Sequence, residues 1–494
     1  MSEVVSEPVA TVAPCEADAV AAPCALVVDL DGTLIRSDML HESAMLLLRS
    51  RPLQAWRIGP WLAQGKAHLK QELAQRAMPD PANLPYRPEV LELLRQQRAQ
   101  GRRIILATAS DKRIAEGVAK HLGLFDDVVA SDGQQNCSGQ TKLAMIRQRL
   151  GDAAFDYMGN GTADLPLWKA SRQAYAVAPC RKVRNAAVDI CTPERVIECS
   201  GGGAKSLLRA MRPGQWVKNL LLFVPLMAAH KAGQWDLVLK ALLAFAAFSL
   251  CASAVYVLND MMDIEADRKH PRKRKRPFAS GELSIPAGLV GSGGLLLASA
   301  LIAILGVGGQ FAVLLGAYLA LTTAYTVSFK KRLLLDAFVL AGLYTLRIIA
   351  GGAAVSVVVS PWLLAFSMFL FLSLAFAKRY AELKGIEDRE GRQAEGRSYI
   401  LEDLSTLESC GPAAGYAAVL VFCLYISSDM ARDLYPQRDL LWGVCPVLLY
   451  WITRVWFLAK RKVLNDDPIA FAARDRVSIL AGILIVAAMV LASL

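Results

Sequence analysis

The sequence predicts an α/β domain built on a parallel sheet, followed by an all-α bundle of nine transmembrane helices. The 494 residues are 54% hydrophobic with a mean hydropathy of +0.34, which is too apolar for an ordinary soluble enzyme. Residues 1–204 carry 24 basic and 23 acidic side chains, whereas residues 205–494 carry 31 and 21. Short β-rich runs are found in the first part and long apolar runs in the second.

The first part alternates between predicted strands and helices. Apolar runs at 24–32, 102–110, 126–131 and 155–160 end in turn residues, and helical patterns lie between them. This alternation is typical of a Rossmann-like parallel sheet, in which ligands bind at the carboxyl ends of the strands. Residues 38–90 form a longer helical insertion, which we expect to be a small cap.

The composition divides the chain into four segments. We expect residues 1–23 to be disordered, because their acidic side chains do not fit a signal peptide. Residues 24–199 form the front domain, which we expect to be cytosolic. The glycine-rich stretch 200–206 is the predicted linker, and residues 207–494 form the membrane domain.

The membrane domain contains apolar stretches of about the length that crosses a bilayer as a helix. The nine predicted spans are 215–230, 236–258, 285–307, 310–328, 334–355, 360–378, 411–428, 440–459 and 477–494. Alternate gaps between them are rich in Lys and Arg, which predicts that these gaps and the front domain are cytoplasmic and that the C-terminus lies on the far side. We therefore expect a multi-pass protein of a bacterial inner membrane. Since the soluble part is nearly neutral, no nucleic-acid partner is expected.

Two carboxylates stand at the end of the first predicted strand, in the sequence Asp29-Leu-Asp31-Gly-Thr. This arrangement suits phosphoryl transfer, because one carboxylate can attack phosphorus while the other protonates the leaving oxygen. Both can also help to hold Mg²⁺. The glycine that follows Asp31 allows the tight turn that keeps both groups at the strand end.

This segment resembles the haloacid dehalogenase phosphatase superfamily, and the resemblance extends over about residues 25–180. It implies that Thr108 and Lys142 bind phosphate and that the loop GNGTAD supplies Asn160 and Asp164 as metal ligands, together with the two strand-end aspartates. Asn160 stands where the family usually has an aspartate. That departure implies either weaker metal binding or a domain that has lost catalysis.

An aspartate-rich segment ends the second predicted span. Asn259 and Asp260 are followed by Asp263 and Asp267, so the three aspartates lie at offsets of three and seven. On a helix, about 100° per residue places them within about 60° of arc. Three carboxylates on one face repel one another unless a cation lies between them, and Mg²⁺ bridging a diphosphate fits that position. In the basic run that follows, Lys273 and Arg276 are the favoured phosphate ligands.

The pattern N-D-x-x-D-x-x-x-D followed by H-P-x-K-x-x-R-P-x-A-x-G resembles the UbiA-type intramembrane prenyltransferase superfamily, over about residues 207–494. Three further segments are similar to its decaprenyl-phosphate phosphoribosyltransferase branch. They are MRPGQWVKNLLLFVPL at 211–226, LRIIAGG at 346–352 and AKRYAEL at 377–383.

The last of these segments departs from the aromatic prenyltransferases, which usually carry a second aspartate-rich motif there. A phosphoribosyltransferase must accommodate phosphoribosyl pyrophosphate and a lipid phosphate, and these anions need more cations than one diphosphate does. Arg347 lies inside the fifth predicted span, where an unpaired charge costs about 2.5–3.5 kcal/mol, so it should face a cavity. The expected substrate-binding side chains are Lys218, Asn219, Asn259, Lys273, Arg276, Arg347, Lys378, Arg379 and Glu382.

The resemblance implies transfer of 5-phosphoribose from phosphoribosyl pyrophosphate to a polyprenyl phosphate, with Mg²⁺ held by Asp260, Asp263 and Asp267. In arabinofuranose-donor pathways the 5-phosphate is removed next, and the front domain, with its own Mg²⁺, is the candidate phosphatase. The expected partners are the bilayer, polyprenyl phosphate and phosphoribosyl pyrophosphate. The sequence leaves the oligomeric state open.

Two alternatives remain at this point. One is a prenyltransferase that joins a polyprenyl diphosphate to an aromatic acceptor and carries an inactive or unrelated phosphatase domain. The missing second aspartate motif argues against it. The other is a transporter or lipid-binding scaffold, against which the absence of an internal repeat and the three-aspartate face argue.

Overall fold

The computed structural model describes residues 24–177, 196–197, 203–387, 398–464 and 467–494. The segment 1–23, predicted to be disordered, and the first residues of the predicted linker lie outside the described residues. The chain divides into two compact units, Met1–Gly201 and Gly202–Leu494. We call them the front domain and the membrane domain and describe each by itself.

The front domain is built on a six-stranded parallel sheet with strand order β3-β2-β1-β4-β5-β6, which confirms the predicted α/β fold. The strands are β1 Ala25–Val28, β2 Ile104–Asp111, β3 Asp127–Ser131, β4 Phe155–Gly159, β5 Ala174–Val177 and β6 Val196–Ile197. Leu26, Val27 and Val28 are fully buried. A central parallel strand is covered on both faces, so its sequence is a continuous apolar run. The last two strands follow the four that the sequence predicted.

Helices flank the sheet and form the insertion. They are α1 Met39–Ser50, α2 Ile58–Ala63, α3 Lys66–Arg76, α4 Pro88–Ala99, α5 Lys112–Leu122, α6 Gln140–Leu150 and α7 Leu165–Ala170. The first three confirm the predicted helical cap. They enclose a small core of their own around Leu47, Trp61 and Leu73. A 3₁₀ turn at Pro52–Arg57 joins α1 to α2.

The membrane domain is helical throughout its regular structure. Its helices are α8 Ala204–Ala210, α9 Val224–Ala228, α10 Trp235–Met262, α11 Ile264–Lys269, α12 Ile285–Leu301, α13 Gly309–Val327, α14 Leu335–Ala354, α15 Pro361–Glu387, α16 Leu404–Ser427, α17 Asp429–Leu434, α18 Val444–Lys460, α19 Pro468–Ala472 and α20 Arg476–Ser493. Within the described ranges, eight helices are long and apolar enough to cross a membrane. The predicted transmembrane bundle is therefore confirmed, whereas the number of nine spanning helices is not.

The difference lies in the first predicted span, 215–230. It forms a 3₁₀ helix over Pro213–Phe223 and then the short helix α9. Prolines at the start of each piece lack the N–H group that a continuous α-helix would use. A 3₁₀ helix rises about 2.0 Å per residue instead of 1.5 Å, so the segment still covers much of the depth of a bilayer.

The 3₁₀ segment runs alongside α10. At one end, the Ser253 hydroxyl donates a hydrogen bond to the Met211 carbonyl at 3.0 Å. At the other end, Leu226 packs against Ala241. The residues that flank the 3₁₀ segment therefore contact two points of α10 that are about three turns apart.

Glycine in the LRIIAGG segment permits a close approach of this 3₁₀ segment to α14. A Cβ atom on Gly351 would lie 2.2 Å from the carbonyl oxygen of Leu222. Since that neighbour is backbone, it cannot move aside as a flexible side chain would. The glycine therefore fixes the distance between two elements that carry candidate site residues.

We expect Gly351→Ala to destabilise the membrane domain by about 1–3 kcal/mol, because the added methyl group overpacks this contact. Thermal unfolding of the purified chain in detergent would measure the effect. Gly342→Ala is the matched control, since it lies on the same helix and nothing lies within 4 Å of the added atom. Equal unfolding temperatures for the two variants would contradict the close-approach argument.

Candidate functional sites

The first site lies at the carboxyl end of β1. Asp29 follows the strand directly, and Gly32 turns the chain with φ of +76°. The Lys142 ammonium lies 2.8 Å from Asp29 Oδ1, and the Thr33 hydroxyl lies 3.4 Å from Asp29 Oδ2. The structure therefore brings together the predicted nucleophile and the predicted phosphate-binding lysine, which are 113 positions apart in the chain.

Asp31 is held by three donors. Asp31 Oδ2 accepts hydrogen bonds from the Ser110 hydroxyl at 2.6 Å and the Thr108 hydroxyl at 3.3 Å, and Asp31 Oδ1 accepts one from the Met39 N–H at 2.8 Å. Thr108 was expected here, but Ser110 was not. Its position two residues further along β2, on the same strand face as Thr108, was the signal available in the sequence.

Burial shifts the acidity of both carboxyl groups. It raises the pKa of Asp29 to about 7, against the opposing attraction of the Lys142 ammonium. It also raises the pKa of Asp31 to about 6, against hydrogen bonds from Ser110 and Met39 that favour the charged form. A carboxyl group with a pKa near neutral pH is suited to accepting and donating protons.

The acidic loop after β4 is fixed by Asp164. Its Oδ2 accepts hydrogen bonds from the backbone N–H of Asn160 and of the next residue, both at 2.9 Å. Its Oδ1 accepts one from the Tyr157 hydroxyl at 2.7 Å, and that hydroxyl in turn accepts one from Lys142 at 3.1 Å. The Asn160 side chain lies against the Gly32 turn, since a Cβ atom on that glycine would be 2.1 Å from Asn160 Nδ2. Asp164 thus orders the loop, and the Asn160 side chain lies at the turn that follows Asp31.

The cap contributes a lysine that sequence reasoning missed. The ammonium of Lys70, on α3, donates to the Ala109 carbonyl at 2.6 Å and to Asn136 Oδ1 at 2.9 Å. Burial lowers its pKa, and the negative charge of Asp31 partly offsets that shift. The cap therefore places a second cation beside the site.

The second site begins at the aspartate-rich end of α10. One guanidinium nitrogen of Arg276 lies 3.3 Å from Asp260 Oδ1 and 2.7 Å from Asp267 Oδ2. Arg212 forms an ion pair with Asp260 as well. Two of the predicted aspartates and one of the predicted cations therefore meet at one point.

The backbone here differs from the single helix that the spacing suggested. Helix α10 ends at Met262, Asp263 follows as its cap, and α11 begins at Ile264. Asn259 lies in the last turn of α10, and Lys273 is exposed in a short 3₁₀ turn. The break leaves Asp260 and Asp267 facing the same guanidinium.

Asp467 forms ion pairs with two lysines of the site. The ammonium groups of Lys218 and Lys378 each lie 2.9 Å from Asp467 Oδ2, and the Tyr344 hydroxyl donates to the same oxygen at 3.0 Å. Asp467 and Tyr344 were not among the predicted site residues. The only sequence signal was Asp-Pro at the start of α19, where Asp467 caps the helix by accepting from the Ile469 N–H.

Arg347 lies in a polar and aromatic pocket. It donates to Asn219 Oδ1 at 3.0 Å and to the Tyr318 hydroxyl at 3.1 Å. Its guanidinium carbon lies 4.9–5.4 Å from the ring centres of Phe248, Tyr318 and Tyr344. Among the described residues, this buried cation therefore donates hydrogen bonds to an amide, a phenol and the backbone carbonyl of Leu343. Cation–π contacts compensate part of its lost hydration.

Two tyrosines lie beside the cations of this site, and one of them contacts two cations. The Tyr344 ring lies 5.9 Å from the Lys218 ammonium and 5.4 Å from the Arg347 guanidinium. The Tyr256 ring lies 5.3 Å from the guanidinium of Arg212. The charged side chains described here are the cations Arg212, Lys218, Arg276, Arg347 and Lys378 and the carboxylates Asp260, Asp267 and Asp467. This excess of positive charge suits anionic ligands.

Arg379 and Glu382 lie in a different network. Arg379 is buried, pairs with Asp336 at 2.7 Å and with Glu382, and donates to the Tyr325 hydroxyl at 3.2 Å. Asp336 also accepts from the Tyr399 hydroxyl at 2.7 Å. Adjacent residues on a helix point about 100° apart, so Lys378 contacts Asp467 while its neighbour ties α15 to α14.

The described residues include no group of three His, Cys, Asp or Glu side chains that could hold a metal ion. Asp260 and Asp267 do converge on a single point, as shown by their shared arginine. Mg²⁺ is usually bound by one or two carboxylates, several waters and substrate phosphates instead of by an all-protein cage. The two converging carboxylates therefore fit that ion.

The model of the UbiA prenyltransferase family matches residues 220–492, which is more than half of the chain. The chain belongs to the UbiA prenyltransferase family. The model of haloacid dehalogenase-like hydrolases matches residues 61–169 within the front domain. Both families generally use Mg²⁺. The chain is therefore a multi-pass membrane protein in which a UbiA domain follows a haloacid dehalogenase-like domain.

Several known proteins are similar to this UbiA-family chain. The protein y4nM of Sinorhizobium fredii is 37% identical over 94% of this chain and 90% of its own length. The decaprenyl-phosphate phosphoribosyltransferase of Mycolicibacterium smegmatis is 35% identical over 55% of this chain and 87% of its own length. A solved UbiA homologue from Archaeoglobus fulgidus, bound to GPP and Mg²⁺, is 15% identical with a TM-score of 0.44, and covers 58% of this chain and 99% of that one.

We expect Asp467→Asn to destabilise the UbiA domain by about 3–5 kcal/mol, because it leaves one buried and one partly buried ammonium group without their carboxylate. Thermal unfolding in detergent would measure this. Asp429→Asn is the control, since Asp429 is exposed and its Arg432 contact is on the surface. Asp467→Glu should keep most of the stability. If Asp467→Asn unfolded at the same temperature as the control, Asp467 would not be organising the lysines.

Proposed function

We propose that the UbiA domain transfers 5-phosphoribose from phosphoribosyl pyrophosphate to a polyprenyl phosphate, and that the front domain then hydrolyses the 5-phosphate of the product. The observation that carries the first step is the cationic interior around Asp467, where Lys218 and Lys378 meet close to Arg347. A similar chain named for this reaction, the mycobacterial phosphoribosyltransferase, supports the assignment.

The charges suit the proposed transfer. The bond between C1 of the ribose and the pyrophosphate oxygen breaks, an oxygen of the lipid phosphate bonds to C1, and pyrophosphate leaves with the electron pair. The acceptor oxygen is already anionic, so no strong general base is needed. Arg212 and Arg276, which pair with carboxylates here, and the two lysines on Asp467 are positioned to stabilise the phosphate charges.

Asp260 and Asp267, together with Asp263 between them, would hold the Mg²⁺ ion, which supplies positive charge to the departing diphosphate. In the front domain, Asp29, Asp31 and the amide oxygen of Asn160 would hold the second ion. The resemblance also implies Asp164 as a ligand, but both of its oxygens accept hydrogen bonds from the domain itself, so we assign it to ordering the loop that carries Asn160.

The front domain has the groups for phosphate-ester hydrolysis. Asp29 attacks phosphorus, the bond to the ribose oxygen breaks, and Asp31 delivers the proton to that oxygen. Asp31 then removes a proton from the water that cleaves the aspartyl phosphate and releases inorganic phosphate. Lys142 and Thr108 stabilise the phosphoryl oxygens, and we place both sites on the cytoplasmic side of the membrane.

The transfer is tested with the full chain in lipid nanodiscs, supplied with Mg²⁺, phosphoribosyl pyrophosphate and a polyprenyl phosphate. Mass spectrometry should detect polyprenyl phosphoribose. Asp260→Asn should reduce its formation by about 100-fold or more, as expected when a group that stabilises transition-state charge is lost. Asp236→Asn, an exposed change in the first turn of the same helix, should not affect it. Turnover of a polyprenyl diphosphate with an aromatic acceptor instead would overturn the proposal.

Mass spectrometry of the lipid product of the same reaction also tests the phosphatase step. The wild-type chain should release the dephosphorylated lipid, whereas Asp29→Asn should accumulate the 5-phosphorylated lipid because its nucleophile is lost. A product that stays phosphorylated in every sample would leave the transferase in place and assign the front domain another role.

We expect Asn160→Asp to lower the Mg²⁺ concentration for half-maximal phosphatase activity by about tenfold, because it restores a charged ligand beside Asp29 and Asp31. Steady-state rates across a Mg²⁺ titration would measure this. Gln135→Glu adds the same charge at an exposed position of the domain and is the control. Equal shifts in both variants would show a general charge effect instead of a ligand at position 160.

A further inference from the structure

The cap carries apolar side chains that its fold does not bury. Leu53 is 88% exposed, Trp56 70% and Leu62 50%. They lie on the 3₁₀ turn Pro52–Arg57 and on α2, next to the buried Trp61 that belongs to the small core of the cap. Since that core is already complete, these three side chains are available for a partner.

The charged residues in the sequence around these side chains are all basic. From residue 43 to residue 71 the chain has five basic residues and no acidic one, although the front part as a whole is nearly neutral. The exposed basic residues of this segment are Arg49, Arg51, Arg57 and Lys66. We call these four residues, with Leu53, Trp56 and Leu62, the cap patch.

We propose that the cap patch binds the surface of the bilayer in which the UbiA domain is embedded, through anionic lipid headgroups. Tryptophan is favoured at the membrane–water interface, and apolar side chains beside cations are typical of segments that lie in it. Each Lys or Arg near an anionic surface contributes about 1 kcal/mol. The membrane domain of the same chain keeps the front domain near such a surface, so modest affinity is sufficient.

Two helices of the cap, α1 and α3, carry residues of both the cap patch and the phosphatase site. Lys70 of α3 bonds the Ala109 carbonyl, which lies between the two hydroxyl residues that contact Asp31. The first residue of α1, Met39, donates its N–H to Asp31. Because the cap contacts this site directly, we infer that binding of the cap to the membrane keeps the site near phosphates carried by lipids. This consequence, unlike the binding itself, rests on the proposed function.

Photo-crosslinking of the full chain in nanodiscs tests the binding. p-Benzoylphenylalanine replaces Trp56 or, as a control, Lys120, which is exposed on α5 of the same domain. Mass spectrometry should find lipid adducts at position 56 and not at 120, and more of them in phosphatidylglycerol than in phosphatidylcholine nanodiscs. Crosslinks from position 56 only to protein, whether this chain or a second copy, would overturn the proposal.

Substitutions separate membrane binding from catalysis. The quantity measured is the ratio of two hydrolysis rates, that of the lipid-linked 5-phosphate to that of soluble p-nitrophenyl phosphate. In the doubly substituted chain Arg51→Gln/Arg57→Gln this ratio should fall by about tenfold or more, since two contacts to anionic headgroups are lost. Arg95→Gln/Lys120→Gln removes the same charge from exposed positions outside the cap and should leave that ratio unchanged. Equal ratios in both variants would contradict the consequence for the substrate. A chain without any phosphatase activity would contradict the proposed function, while the crosslinks would still decide the binding.

Discussion

The carboxylate of Asp467 is the contact on which the interior of the UbiA domain depends. It lies between the ammonium groups of Lys218 and Lys378 and accepts a hydrogen bond from Tyr344, so it joins the 3₁₀ segment, α14, α15 and the start of α19. A buried lysine and a partly buried lysine inside an apolar bundle are costly without a counter-charge, and a single aspartate supplies it for both. Gly351 then allows the 3₁₀ segment to approach α14 closely enough for Lys218 to reach this carboxylate.

The aspartate-rich end of α10 also pairs each of its two converging carboxylates with basic side chains. Asp260 and Asp267 are neutralised by Arg276, and Asp260 also by Arg212. Under the proposed function, a phosphate that arrived with a divalent cation would replace these ion pairs, because the carboxylates would bind the metal and the guanidinium groups would bind the phosphate. Planar guanidinium groups suit this exchange, because they bind carboxylate and phosphate with the same geometry.

Local patterns in the sequence predicted most of what depends on neighbouring residues. The strand-end Asp29 and the helix-borne Lys142 were recognised because each belongs to a short motif, and the parallel sheet follows from the alternation of strands and helices. Asp467 and Lys70 were missed, because their roles come from contacts with residues far away in the chain. The segment 215–230 has the composition of a spanning helix, and only its prolines and the close approach at Gly351 make it a 3₁₀ segment. Long-range packing, which a single sequence does not display, decided each of these cases.

Fusing the two domains has a physical rationale in the nature of the proposed intermediate. A polyprenyl-linked phosphate cannot leave the membrane, because each buried methylene group of its chain contributes about 0.8 kcal/mol to retention. A soluble phosphatase would have to search the whole membrane surface for it, whereas a domain tethered to the transferase samples only the surface nearby. A cap with cations and exposed apolar side chains adds affinity for that surface without adding any contact to the substrate. The same fold could then act on a lipid-borne phosphate with the Asp29 and Asp31 geometry that serves soluble phosphate esters, since the membrane-binding groups lie on the cap and the catalytic groups on the sheet.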